Sequence, residues 1–393
     1  MITKYKKAII TVLGFVTLTV LIALGVINLN SDSIPNKTFD KSNYTYAIDY
    51  GPRGAGKKYV LCQIDIRTDS ITKKWKLNKP YGTMSILSDG NLILTMPNLT
   101  YERWGNEFAL FDVRKGQITK IYHAKYGKKP FDAFQANNFL YVPLYSDDRL
   151  PGTTSMFEIY STLKNNFVFD KKIYFKRFYR MEVSNYALTP DKNYVYTSIN
   201  NFFGPGESIA DENRVILYKV DTQTAEIVAS KDMDQLFGCS YGLSATDKKI
   251  YVSAMTKTPG PSPHVTNNFV FVFDNNLNYL HNIQVNDFPE QLVYVPHLDK
   301  LIVTHLHAQP EFLKVINCKT DTVINEIGPI NGKIMMSYVG NNKLYISVGD
   351  NVFTPGLAED ESPGIIVVDL STNKIIKRII GYFRPLASNF NLE

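Results

Sequence analysis

The stretch "IIVVDLSTNKIIKRIIGY", residues 365–382, decides how the rest of the chain is read. An apolar run rich in β-branched residues closes on Asp369, a short polar turn follows, and a second apolar run leaves it. β-Branched runs favour pleated strands, and Asp, Ser, Thr and Asn suit the tight turn between them. The same phrase opens at Tyr59 ("YVLCQIDIRTDSITKKWKL", 59–77) and at Phe108 ("FALFDVRKGQITKIYHA", 108–124). It returns over 156–175, 215–233, 269–285 and 312–330, which makes seven copies. The residue that closes the first strand is Asp65, Asp112, Tyr160, Asp221, Asp274, Asn317 and Asp369 in turn.

Another hairpin precedes six of these copies. Its turns are Asp89-Gly90, Asn137-Asn138, Asp191-Lys192, Asp247-Lys248, Asp299-Lys300 and Asn341-Asn342. Asn, Asp and Gly accept the positive φ that tight hairpins demand. Each unit therefore reads as four antiparallel strands over ~45 residues, which is the period of a propeller blade. The expected fold is all-β: a seven-bladed β-propeller of four-stranded antiparallel blades spanning residues 44–393. Blade 1 has one strand, Tyr44–Tyr50, before its phrase instead of two. The C-terminal segment 383–393 is expected to supply the missing innermost strand and so clasp the ring, because an open ring would expose sheet edges.

The phrase at 365–381 resembles the V-I-D-x-x-T-x-x-V-x-x-x-I-x-x-G repeat of YVTN-type surface β-propellers, a WD-repeat-like group. "NKLYIS", residues 342–347, is similar to their strand motif. Blades 6 and 7 match closely; blade 3, with Tyr160 at the Asp position, departs most. The resemblance implies a fold and no particular reaction.

Ahead of the repeats, Lys4, Lys6 and Lys7 precede an uncharged run, Ala8–Leu29. As a helix that run would reach about 33 Å, enough for the hydrocarbon core of a bilayer. The lysines put residues 1–7 in the cytoplasm by the positive-inside rule. The expectation is one uncleaved transmembrane signal-anchor helix at 8–29, a polar linker at 30–43 and an extracytoplasmic propeller. A cleaved signal peptide is the rival, but its apolar core is shorter, ~7–15 residues. Those lysines also supply half of the net charge of +6. The near-balanced remainder, with no basic cluster interleaved with aromatics, argues against nucleic acid. Cys62, Cys239 and Cys318 are too sparse for a disulfide framework and read as small buried residues.

In a four-stranded blade the turns between strands one and two and between three and four share one face. Those turns are short here. The opposite face receives the long loops: Gly51–Lys58, Pro97–Asn106, Ser146–Thr154, Asn200–Asn213, Thr256–Asn268 and Gly349–Pro363. Long loops on a rigid scaffold are where binding residues concentrate. Arg53 and Lys57 in the first of them could meet an anionic partner; Phe202 and Phe203 could anchor one. Asp132, Glu182 and Arg384 enter innermost strands and could bind a small polar ligand at the channel. His264, His305 and His307, with Glu311 nearby, are candidate ligands for a divalent metal, the one cofactor considered. The remaining histidines, His123 and His281 on outer strands and His297 in a first, innermost strand, read as structural.

"GPRGAGKKY", residues 51–59, mimics a phosphate-binding loop but lacks the Ser or Thr that holds Mg²⁺. A strand, not a helix, is expected after it, so no helix N-terminus would face a phosphate. No nucleophile elbow, Cys-His pair or zinc motif is present. The expected function is binding of a cell-surface protein or small polar ligand through the long-loop face, without catalysis. The alternative is a metal-dependent propeller hydrolase, lactonase or lyase that uses the same face.

Overall fold

Every copy of the phrase folds as the third and fourth strands of an antiparallel sheet, and seven such sheets follow one another along the chain. The computed structural model describes residues 43–51, 59–95, 105–126, 129–130, 132–145, 156–163, 166–175, 181–201, 215–233, 236–256, 268–286, 288–305, 310–331, 333–349 and 363–386. Residues 8–29 lie outside this set; among the described residues no helix is long and apolar enough to cross a membrane.

Blade 2 shows the plan. Its strands run from the innermost, Thr83–Ile86, through Leu92–Thr95 and Glu107–Asp112 to the outermost, Gln117–His123. Blades 4 to 7 repeat it from Met181–Leu188, Phe237–Ala245, Pro289–Val295 and Lys333–Gly340 outward. Blade 3 differs at its centre, where the innermost strand is split into Lys129–Pro130 and Phe134–Ala136, both paired with Phe139–Tyr145. In blade 1 the innermost strand is Phe383–Leu386, paired antiparallel with Tyr44–Asp49. The last described strand of the chain thus completes the blade that the first one opens.

Burial follows from this layering. Second and third strands are covered on both sides by neighbouring blades, and Leu92–Thr95 is buried throughout. Fourth strands face solvent; Glu226–Asp232 is almost wholly exposed. The apolar cores lie between blades. One joins Phe134, Tyr141 and Phe157 of blade 3 to Val195, Ile216 and Tyr218 of blade 4. Another joins Ala47, Cys62 and Ile64 of blade 1 to Tyr345, Ile365 and Val367 of blade 7. Cys62 and Cys318 are buried free thiols, and burial pushes both up to about 12.

The recurring Asp has a local job. In blade 7 the Asp369 Oδ1 accepts the backbone N–H groups of Ser371 at 2.8 Å and Thr372 at 3.1 Å. Asp65, Asp112, Asp221, Asp274 and the Asn317 amide oxygen do the same for the residues that follow them. Such Asx turns satisfy donors the hairpin cannot use. A positive φ then closes most of these turns, at Asp69, Gly116, Ala225, Leu277, Asp321 and Asn373. The first-to-second-strand turns behave similarly at Gly90, Asn137, Lys192, Asp299, Asn341 and Asn342. His297 sits in one of these turns, a 3₁₀ segment Pro296–Leu298, not in the innermost strand where the sequence reading put it.

Candidate functional site

The two faces of the ring differ in what their polar groups are doing. On the short-turn face, second-strand residues reach the turn of the next blade. Tyr141 donates to the Thr222 carbonyl at 3.1 Å, Tyr196 to Asn275 at 3.1 Å and Tyr251 to Cys318 at 3.3 Å. Tyr345 closes the circuit on Ile66 of blade 1 at 3.3 Å. Lysines flank these contacts: Lys249 on Cys318 and Asp321, Lys300 on Leu370, Lys343 on Ile66 and Asp69. Two residues beyond the tyrosine, Ser253 and Ser347 donate to the next blade's innermost strand, at the carbonyls of Glu290 and Phe383. The Lys-x-Tyr-x-Ser pattern within "NKLYIS" is therefore an inter-blade fastening. On this face the second-strand Tyr, Lys and Ser side chains hold the ring.

The opposite face receives all seven connections from second to third strands. They span 50–58, 96–106, 146–155, 202–214, 257–268, 306–310 and 350–363 between the strand ends. Arg53, Lys57, Phe202, Phe203, His264 and His307 lie in them, outside the described residues. Glu182 and Arg384 stand in the innermost strands of blades 4 and 1, in register with Asn200 and Ile48. After the glycine-rich stretch the chain enters a strand, Tyr59–Asp65, so the helix that a phosphate loop requires is absent there.

Asp132 is the candidate the structure develops most. It fills the break in the innermost strand of blade 3, and three blades converge on its carboxyl. Tyr186 of blade 4 donates to Oδ2 at 2.5 Å, and the Ala133 N–H to Oδ1 at 2.8 Å. Thr83, the first residue of blade 2's innermost strand, adds a hydroxyl. Burial pushes Asp132 up to about 6, against the lowering effect of those donors. Tyr186 is held by stacking on Phe134, ring centroids 4.4 Å apart. This is a carboxyl in the channel-lining layer whose charge is poised near neutral pH. It can accept from, or pair with, a polar or cationic group. Thr83 and Tyr186 carry no motif, and only closure of the ring brings them to Asp132.

His305 and Glu311 end and begin the strands on either side of the blade 6 connection. The Glu311 Oε1 accepts the His305 backbone N–H at 2.8 Å and meets its Nδ1 at 2.9 Å. Both side chains are buried, 0% and 2% exposed. An ionised carboxylate only accepts, so Nδ1 is the donor in this contact; in a neutral ring Nε2 is then the atom with the lone pair. Nε2 and the Glu311 Oε2 have no partner among the described residues. A histidine oriented by a carboxylate in this way is a good metal ligand. Among the described residues no group of three or more His, Cys, Asp or Glu could hold a metal ion. His123 and His281 lie on outer strands, and His281 Nε2 is 3.0 Å from Asp321.

No protein-family model matches the chain, and no curated protein matches it either. Solved structures do. A functionally unknown protein from Desulfotomaculum acetoxidans aligns with a TM-score of 0.57 at 13% identity, over 88% of this chain and 100% of that one. Hydrazine synthase from Kuenenia stuttgartiensis gives 0.56 at 11%, over 86% and 99%. Dihydro-heme d1 dehydrogenase NirN, in complex with DHE, gives 0.55 at 12%, over 91% and 77%. At such identities the likeness establishes the propeller fold alone.

Proposed function

We propose that this YVTN-like propeller is membrane-anchored and extracytoplasmic, and that it binds a cell-surface protein or small polar ligand without catalysing a reaction. Binding uses the face that carries the second-to-third-strand connections, with Asp132 as the polar group at its centre. One observation carries this reading: the asymmetry of the ring. Short-turn carbonyls and carboxylates are engaged by the Lys and Tyr of the preceding blade, whereas the opposite face gathers the second-to-third-strand connections, six of the seven long. The residues that begin the ring agree with it. The Asn43 carbonyl accepts the Ile66 N–H at 2.9 Å, so the chain enters blade 1 beside a short turn. A tether attached there leaves the opposite face free for partners.

The test is to replace residues 202–214 and 257–267 by short turns. Capture of the partner from a cell-surface pull-down should be lost while the far-UV circular dichroism and unfolding midpoint stay put. Capture that survives both replacements removes the reading's main support. A second reading, a divalent metal serving a hydrolase, lactonase or lyase, draws on the Nε2 of His305 and the Oε2 of Glu311.

A further inference from the structure

The outer strands of the seven blades do not share charge equally. Blade 1's outer strand, Ser70–Leu77, carries Lys73, Lys74 and Lys76, and blade 7's, Lys374–Ile380, carries Lys374, Lys377 and Arg378. Neither contains an acidic residue. Elsewhere the charges are mixed or sparse: Glu226 and Asp232 in blade 4, Glu326 in blade 6, Asp170 beside two lysines in blade 3. Blade 2 has one lysine in this strand, and blade 5 has no Lys, Arg, Asp or Glu there.

These two basic strands are neighbours, because blade 7 and blade 1 meet where the ring closes. The Lys377 Nζ spans the junction to donate to the Thr68 carbonyl at 2.9 Å. Of the nearby acids, Asp65 pairs with Arg67 at 2.6 Å and Asp69 with Lys343 at 2.7 Å, while Asp369, opposite Lys374 in register, is taken up by the Ser371 and Thr372 N–H groups. Lys73, Lys74, Lys374 and Lys377 are exposed and form no ion pair among the described residues, whereas Lys76, opposite Val60, stands at the far end of its strand. Between the blade 7 lysines stand Ile375 and Ile376, 41% and 47% exposed. Lysines bracketing exposed isoleucines are the composition of a surface that meets headgroups with its charge and the interface with its apolar tips.

We infer that the short-turn corner of blades 7 and 1 docks on an anionic phospholipid surface. The inference rests on the membrane-anchored reading above. The chain enters the ring at this same corner, through Asn43 and Tyr44. A linker of residues 30–43 extends at most ~50 Å, so the anchor keeps the corner at high local lipid concentration without fixing its orientation. The basic corner supplies the orientation. It turns the long-connection face away from the bilayer, toward partners. Attraction of this kind falls off within a Debye length, about 10 Å at 0.1 M salt, so it acts only on a corner held close.

The experiment uses the full chain in proteoliposomes of phosphatidylcholine, with or without phosphatidylglycerol. A water-soluble amine-acetylating reagent labels exposed lysines, and mass spectrometry quantifies each site. Labelling at Lys73, Lys74 and Lys374 is divided by that at Lys248, an exposed lysine in a short turn of blade 5. The ratio should fall about threefold or more when phosphatidylglycerol is present, and recover in molar salt. Lys374→Glu with Lys377→Glu should restore the labelling of Lys73 and Lys74 in the anionic vesicles. Carbonate-resistant flotation of the same vesicles scores insertion separately. A chain that does not float overturns the anchor and the docking with it. A chain that floats but labels equally in both lipids, whether free or covered by a second copy, overturns the docking alone.

Discussion

The Tyr345 hydroxyl of blade 7 donates to the carbonyl of Ile66 in blade 1, 3.3 Å away across the seam where the ring closes. The single hydroxyl proton is shared with the nearer Asp69 carboxylate, which Lys343 also holds at 2.7 Å. The seam is thus fastened twice, by the paired strand Phe383–Leu386 and by this polar clamp on the other side of the blade. Tyr345→Phe should cost about 1–2 kcal/mol, because Lys343 still satisfies the carbonyl and the carboxylate. Lys343→Met should cost more, ~2–4 kcal/mol, since it leaves a nearly buried carboxylate without its cation. Urea unfolding checks both. The double variant should exceed the sum of the singles by at least ~0.5 kcal/mol, because the Asp69 carboxylate then loses both of these partners at once. Strict additivity would refute the clamp.

Much of this fastening was visible in the sequence as pattern, though not as cause. The marker Asp and the Asn-Asn or Asp-Lys turns are local devices, so their residues announce them: Asp369 bonds Ser371 two positions on, and Asn341 and Asn342 both take positive φ. The blade count followed from them. "NKLYIS" stood out as a motif, yet the partners of its Tyr and Ser, Ile66 and Phe383, lie in another blade. Asp132 was legible as a residue entering an innermost strand; Tyr186 and Thr83 were not, because no local periodicity relates three blades. His305 reads from the sequence as a strand-end metal ligand with Glu311 nearby, and the structure buries it against that Glu311. Burial of a strand-end histidine depends on neighbouring blades, which sequence spacing does not encode.

Gly242 marks a second place where blades approach too closely for any side chain. A Cβ there would lie 2.0 Å from the Glu290 carbonyl oxygen and 2.7 Å from the Ser253 Oγ. The contact is the same one that Ser253 makes at 2.6 Å to fasten blade 5 to blade 6. Gly242→Ala must push two innermost strands apart and should destabilise by about 2–4 kcal/mol. Ser253→Ala loses only the hydrogen bond, about 1 kcal/mol. Thermal or urea unfolding separates the two. An alanine as mild as the serine change would mean that the strands yield without strain.

His305 and Glu311 distinguish the two functional readings. Glu311→Ala removes the acceptor of both the His305 N–H and Nδ1, and should cost about 2–4 kcal/mol whichever reading holds. His305→Ala is the discriminating change. Under the metal reading, zinc titrated into the metal-free protein should raise the unfolding midpoint of the wild type and leave His305→Ala unmoved. Under the binding reading, zinc shifts neither, and capture of the partner persists in both. A zinc response that survives His305→Ala would place any metal elsewhere.

Asp132 gives the ring a pH dependence whose sign can be worked out. Burial pushes its carboxyl up to about 6 in the folded chain, against ~3.9 for an ordinary aspartate. Between those values the folded state keeps a proton that the unfolded state has shed. Stability from this group is therefore complete below about pH 4 and lost as pH rises through about 6. Partial exposure of the residue moderates the effect to about 1–3 kcal/mol. Asp132→Asn keeps an acceptor for the Tyr186 hydroxyl and carries no charge at any pH. It should be the more stable protein at neutral pH and should flatten this part of the profile. Urea midpoints measured across the window test it, and coincident wild-type and variant curves would show that Asp132 does not titrate there. A cationic ligand at the channel would pull the wild-type transition toward lower pH. The variant would bind that ligand more weakly, so the same pair of proteins also tests Asp132 as the polar centre of the binding face.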